Sequence, residues 1–128
     1  MSSDISERIY TQNHVWLQAQ NECEFTLGIT DFAQDQLGDI VFVELPEAGI
    51  NTQAGKACLV VESVKSASDV ICPVEGKIIE VNEQLGDEPE LINESPYEKG
   101  WIVKIKVDQN HVIEGKMTMD EYNSHQSK

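Results

Sequence analysis

Lys65 is the residue whose type and setting best suit covalent chemistry. It stands at the centre of Glu62-Ser63-Val64-Lys65-Ser66-Ala67-Ser68, a run of mostly small or polar residues between the apolar stretches at 58–61 and 69–72. Such residues favour a tight bend, which makes Lys65 a tip residue pointing away from the core. An ordinary lysine has a pKa of ~10.4 and is a poor nucleophile at neutral pH. Nothing nearby suggests the desolvated amine that Schiff-base chemistry needs. The amine suits modification by another enzyme instead. Acylation removes its charge, and a long arm on a rigid tip visits several active sites at high effective concentration. By position alone, a plain solvated lysine is the favoured reading.

Other constellations do not assemble. His14, His111 and His125 have no Cys or carboxylate at metal-ligand spacing. Cys23, Cys58 and Cys72 are odd in number, widely spaced and free of any CxxC, so neither a disulfide framework nor a zinc knuckle is supported. Cys58 and Cys72 lie among apolar neighbours and read as buried structural thiols. No Gly-x-Ser-x-Gly, P-loop or dinucleotide fingerprint occurs. The carboxylates of residues 83–98 read as a solvated acidic loop, since paired acid–base carboxylates need a shared cleft. Trp16 and Trp101 read as core residues.

A tip at Lys65 requires strands on both sides, and most of the chain reads as short strands between turn residues. Residues 14–18 and 24–28 form a first pair around a polar turn at 19–22. Thr30 offers an N-cap for a short helix at 31–37 that Gly38 ends. Strands follow at 40–44, 56–64, 68–72 and 77–82, the second of them apolar enough to be buried on both sides. Residues 83–100 look irregular and acidic. In 101–107, Trp101, Val103, Ile105 and Val107 alternate with Ile102, Lys104 and Lys106. A short helix is expected at about 114–125, with Gly115 and sparse apolar residues weakening it. Gly38-Asp39-Ile40-Val41-Phe42-Val43 repeats as Gly76-Lys77-Ile78-Ile79-Glu80-Val81, with Gly49 and Gly86 following the two copies. Lys65 lies almost midway between them, which suggests two related half-sheets facing each other.

The 128 residues suit one domain, 1–128, with its core at about 10–107. Hydrophobic residues make up 40% and charged residues 25%, an ordinary globular mix. Twenty-three acidic against nine basic residues give a net charge of −14. That surface repels nucleic-acid phosphates and anionic lipid headgroups and steers basic protein partners. The N-terminus has neither the basic start and apolar run of a secretion signal nor the arginines of a transit peptide. No apolar stretch is long enough to span a bilayer. The expectation is a cytoplasmic monomer.

Residues 62–69, Glu-Ser-Val-Lys-Ser-Ala-Ser-Asp, resemble the lipoyl-attachment motif of the glycine cleavage system H protein family. The resemblance continues, in order and spacing, at Gly28-Ile29-Thr30-Asp31, Ala33-Gln34, Leu37-Gly38-Asp39 and Val41-Phe42-Val43-Glu44-Leu45-Pro46. It goes on at Glu90-Leu91-Ile92-Asn93, Ser95-Pro96-Tyr97 and Gly100-Trp101-Ile102-Val103-Lys104-Ile105-Lys106, so that it covers about residues 10–106. It implies an all-β barrel-sandwich hybrid of the lipoyl/biotinyl-carrier kind, two sheets related by approximate two-fold symmetry. It also implies lipoate in amide linkage on Lys65, with Glu62, Ser63, Val64, Ser66, Ala67 and Asp69 forming the hairpin that a lipoate-attaching enzyme and the arm itself recognise. The carrier, itself no enzyme, would take an aminomethyl group from pyridoxal-phosphate-dependent glycine decarboxylase and deliver it to a tetrahydrofolate-dependent aminomethyltransferase. Dihydrolipoyl dehydrogenase would then reoxidise the arm by thiol–disulfide exchange. Folding the loaded arm into a cleft near Lys65 would exclude water and protect it.

Two positions depart from the family pattern. The family commonly has His-Glu-Trp where this chain has His14-Val15-Trp16, and His where it has Phe32. Asp69 remains to meet a cationic amine. The departures keep open a related relay that passes lipoyl or octanoyl groups to other lipoyl domains. A biotinyl carrier usually shows Met on both sides of its lysine, whereas Val64 and Ser66 flank Lys65. An enzyme using Cys58 or Cys72 is the remaining alternative.

Overall fold

The computed structural model describes residues 8–21, 23–108, 113 and 115–126. The chain runs β1 (Ile9–Thr11), β2 (Val15–Asn21), β3 (Glu24–Ile29), α1 (Asp31–Leu37), β4 (Ile40–Glu44), β5 (Asn51–Thr52), β6 (Lys56–Ser63) and β7 (Ala67–Cys72). It continues through β8 (Gly76–Val81), α2 (Gln84–Asp87), α3 (Leu91–Glu94), β9 (Val103–Lys106), β10 (Lys116–Met117) and α4 (Met119–Gln126). One sheet has the order β10-β1-β2-β3-β9-β8-β5 and the other β4-β6-β7, with antiparallel pairing throughout. The expected all-β two-sheet architecture with short helices is what forms. The repeated segments start strands of different sheets, β4 and β8, although the sheets are unequal, seven strands against three. The trailing glycines play unlike parts: Gly49 takes φ 101° in a turn, whereas Gly86 lies inside α2.

Leu17, Leu27, Val61, Ile78, Val103 and Ile105, all 0% exposed, come from both sheets into one apolar cluster. Their removal from water is the main stabilising force of the domain. A second cluster of Tyr10, Trp16 and Tyr122 joins β1, β2 and α4, with Tyr97, Trp101 and Met117 packed against it. The Arg8 guanidinium covers this cluster, 5.1 Å from the Trp16 ring and 5.0 Å from the Tyr97 ring. Trp16 is buried as expected, but Trp101 is only half-buried and carries Lys104 Nζ at 5.2 Å from its ring.

Several expectations need correction. Residues 19–21 continue β2 instead of turning, because Ala19 and Asn21 still pair with Phe25 and Glu24 across a bulge; Glu22 lies outside the described residues. β6 is not buried on both sides. Only Leu59 and Val61 are buried in it, since among the described residues nothing covers the other face of the strand. Residues 83–100 are not simply irregular: α2 and α3 form there, driven by burial of Leu85, Leu91 and Ile92. These join Ile102 in the main cluster, so Ile102 is 0% exposed and not on an outer face with Lys104 and Lys106. The C-terminal helix starts at Met119. Lys116 and Met117 are instead drawn into β10 by pairing with Thr11 and Tyr10. The N-terminal segment 1–7, His111, and the side chain of His125 lie outside the described residues. No described helix is long and apolar enough to cross a membrane.

Candidate functional site: a lysine tip beside an α1-walled cleft

The Lys65 tip is built by its neighbours. β6 and β7 pair through Val60↔Asp69, Val61↔Ser68 and Glu62↔Ala67, and Ser63 N–H then donates to Ser66 O at 2.9 Å to close the turn. Ser63 Oγ accepts from the backbone N–H groups of Lys65 (3.1 Å) and Ser66 (3.2 Å), a local serine turn that needs no glycine. Val64 N–H donates to Asp39 O at 3.0 Å and ties the tip to the start of β4. Lys65 is exposed, and its ammonium reaches the Gln36 carbonyl at 3.3 Å. Gly38, at φ 81°, leaves room for the lysine stem: a Cβ there would meet Lys65 Cε at 3.4 Å.

A cleft of about 330 Å³ opens beside the tip between α1 and the hairpin. Val15, Ile29, Val61 and Val70 make its wall apolar, and Phe32, Gln36 and Leu37 contribute from α1. Ser68 and Asp69 bring the hairpin itself to the rim. Asp69 is exposed, and no described side chain pairs with its carboxylate. The structure therefore places Asp69 at the rim of the cleft and Val15 and Phe32 inside it, while Lys65 reaches Gln36, one of the lining residues. Glu62 is half-buried and faces Phe42 on β4, whereas Val64, Ser66 and Ala67 lie exposed around the tip.

No residue of α1 is fully buried, so the helix depends on polar tethers. Thr30 Oγ1 caps it, accepting from Ala33 N–H at 3.2 Å. That oxygen also lies 2.7 Å from the Tyr122 hydroxyl, which stands 2.7 Å from His14 Nδ1. Tyr97 Oη accepts from Asp31 N–H at 3.0 Å. At the far end, Asn93 Nδ2 donates to Gln34 Oε1 (2.8 Å) and Gly38 O (2.9 Å), while its Oδ1 accepts from Ile40 N–H (2.8 Å). His14 takes φ 64°, a left-handed conformation that His tolerates better than most residues. Its ring packs on Phe32 with centroids 4.7 Å apart. Burial pushes the Tyr122 hydroxyl up to about 12.

Sequence reasoning missed Tyr122, and it weighed Asn93 and Tyr97 only within the resemblance. An asparagine after apolar Leu91-Ile92 was the available signal for Asn93. Nothing in the sequence marks Tyr122, because its partners lie 92 and 108 positions away. Among the described residues no three His, Cys, Asp or Glu side chains gather as a metal site, and the three cysteines are free. Cys72 is buried, but Cys58 and Cys23 are only half-buried.

Comparison with known proteins gives the family. The family model described as "Glycine cleavage H-protein" matches residues 8–128. A glycine cleavage system H protein of Psychromonas ingrahamii is 50% identical over 117 residues, covering 91% of this chain and 94% of that one. One from Escherichia coli is 47% identical over 122 residues, covering 95% of each. The crystal structure of a glycine cleavage system H protein from Mycobacterium marinum superposes with a TM-score of 0.89 at 35% identity, covering 98% of this chain and 100% of that one. A full-length match in sequence and fold leaves one assignment: the chain belongs to the glycine cleavage H-protein family.

Proposed function

We propose that this carrier works through Lys65, acylated in amide linkage by lipoate, and that the cleft beside it shelters the arm between partners. The observation that carries the reading is the exposed Lys65 amine on a turn locked by Ser63 and Asp39. A modifying enzyme can engulf such a tip without unfolding anything. When attached, the lipoyl disulfide supplies the sulfur chemistry that takes up and releases a one-carbon unit.

The chain's own residues do the rest. Glu62, Ser63, Val64, Ser66 and Ala67 present the amine and form the surface that a lipoate-attaching enzyme reads. Val15, Ile29, Val61 and Val70 offer apolar contact and exclude water from the cleft. Asp69 stands at the rim, where its carboxylate attracts a cationic amine. The chain makes and breaks no bonds of its own. Its partners are glycine decarboxylase with pyridoxal phosphate, an aminomethyltransferase with tetrahydrofolate, and dihydrolipoyl dehydrogenase. The net charge of −14 favours encounter with basic docking faces.

The test is peptide mass spectrometry across residues 56–77 after co-expression with a lipoate-attaching enzyme. Lys65 should carry one lipoyl group, and Lys65→Arg should carry none. A bare Lys65 under those conditions would overturn the reading. Val15 and Phe32 make the cleft more apolar than the common family pattern, which favours a second reading: a relay for octanoyl or lipoyl groups. Glycine-dependent CO₂ exchange in a reconstituted system separates the two, since only the first predicts it.

A further inference from the structure

We propose that Cys58 and Cys72 form a thiol pair that low-molecular-weight disulfides convert into a reversible cross-strand disulfide at the base of the Lys65 hairpin. The register brings the two residues together. β6 and β7 pair through Lys56↔Cys72 and Ala57↔Ile71, then skip to Leu59↔Val70, so Cys58 is the extra residue of a bulge. In an unbroken ladder Cys58 would lie a full diagonal from Cys72, about 7–8 Å away. The bulge removes about one residue of that offset and brings the pair towards the range a disulfide spans, about 4.4–6.8 Å between Cα atoms. Both side chains turn to the same interior: Cys72 belongs to the main apolar cluster and Cys58 packs against it. Neighbouring carbonyls orient both sulfurs, Val70 O lying 3.6 Å from Cys58 Sγ and Val74 O 3.2 Å from Cys72 Sγ.

Access differs between the two. Cys72 is 0% exposed and Cys58 is half-buried, so a soluble disulfide reaches only Cys58. The Cys58 thiolate attacks one sulfur of the oxidant, and the other sulfur leaves as a thiol. Cys72 then gives up its proton and attacks Cys58 Sγ in the mixed disulfide, expelling the second thiol. The dithiol loses two electrons and two protons, and the oxidant becomes two thiols. With Cys58 beside it, the Cys72 thiol is held down to about 7, which suits it to the second, resolving attack. The neighbouring Cys72 sulfur, with burial, pushes Cys58 up and slows the first.

Cys58 and Cys72 each lie seven positions from Lys65, so the cross-link closes a ring with the tip lysine at its midpoint. It staples the strands that carry the tip and leaves Lys65 exposed. In a reducing compartment the pair rests as the dithiol and closes only under oxidation.

The test incubates the folded protein with oxidised glutathione, quenches by alkylation and maps peptides. Wild type should lose about 2 Da relative to the dithiol in a linked 58/72 peptide and regain alkylation after dithiothreitol. Its melting temperature should rise when oxidised and return on reduction. Cys72→Ala should stop at a glutathione adduct on Cys58, and Cys58→Ala should leave Cys72 unmodified. Cys23, half-buried between β2 and β3, reports that the oxidant was active. Unlinked, fully alkylatable Cys58 and Cys72 alongside glutathionylated Cys23 would overturn the proposal. So would a persistent Cys58 adduct in wild type, since Cys72 would then fail to resolve it. Neither readout depends on lipoylation or on glycine turnover.

Discussion

The Tyr122 hydroxyl and His14 Nδ1 lie 2.7 Å apart and join the C-terminal helix to the rim of the cleft. The same hydroxyl meets the N-cap of α1 through Thr30 at 2.7 Å. Tyr122 also stacks on Tyr10 at 5.2 Å between centroids. A residue near the end of the chain thereby sets the positions of His14 and, through α1 and the His14–Phe32 contact, of Phe32.

Removing that hydroxyl takes one hydrogen bond each from buried Thr30 and half-buried His14. Tyr122→Phe should therefore lower the unfolding free energy by about 1–3 kcal/mol, measured by urea denaturation. Lys65 should remain as reactive to the modifying enzyme as in wild type, because the tip is held by Ser63 and Asp39 instead.

Alkaline pH should destabilise the fold through the same residue. Burial raises Tyr122 from 10.0 to about 12 in the folded chain. The unfolded chain loses the proton first, so stability that is whole below pH 10 declines as pH climbs towards 12. Tyr97 and Tyr10 are raised by burial too and add to the slope. The urea midpoint should fall across this window in wild type and fall less steeply in Tyr122→Phe.

Asn93 fastens the other end of α1. Asn93→Ala deletes its bonds to Gln34, Gly38 and Ile40 together. The expected cost is about 1–3 kcal/mol. Amide hydrogen exchange should speed up in α1 and at Ile40 while the β2–β3 core stays protected.

Gly28 lies against the face of Trp16, where a Cβ would come within 2.7–2.8 Å of three indole atoms. Trp16 is 1% exposed and its Nε1–H donates to Pro96 O at 3.0 Å, so it has nowhere to move. Gly28→Ala should cost about 1–3 kcal/mol by overpacking. Denaturant titration followed by tryptophan fluorescence measures it.

Lys65→Arg should leave the fold intact, within about 0.5 kcal/mol of wild type, because the side chain is exposed and makes one peripheral hydrogen bond. A matching melting temperature, together with loss of the modification, would separate attachment from folding.

Local signals were enough for the strands around the tip. Residues 40–44 and 68–72 and the helix at 31–37 were readable because alternation, an N-cap threonine and a terminating glycine act within a few residues of one another. The sites most easily misread were those whose conformation depends on distant partners. Residues 83–100 look like an acidic loop until Leu85, Leu91 and Ile92 find the core, and residues 116–117 become a strand only because β1 presents Tyr10 and Thr11 to them.

The sequence by itself determined the tip: Ser63, Lys65 and Ser66 make their turn with one another, and the resemblance of residues 62–69, not the tip's position, singled out the amine. Only the tertiary structure decided that a cleft opens beside it, that Asp69, Val15 and Phe32 share that cleft, and that Tyr122 and Asn93 hold its wall. Those contacts join residues tens of positions apart, and a long-range contact has a geometry only after the core has closed.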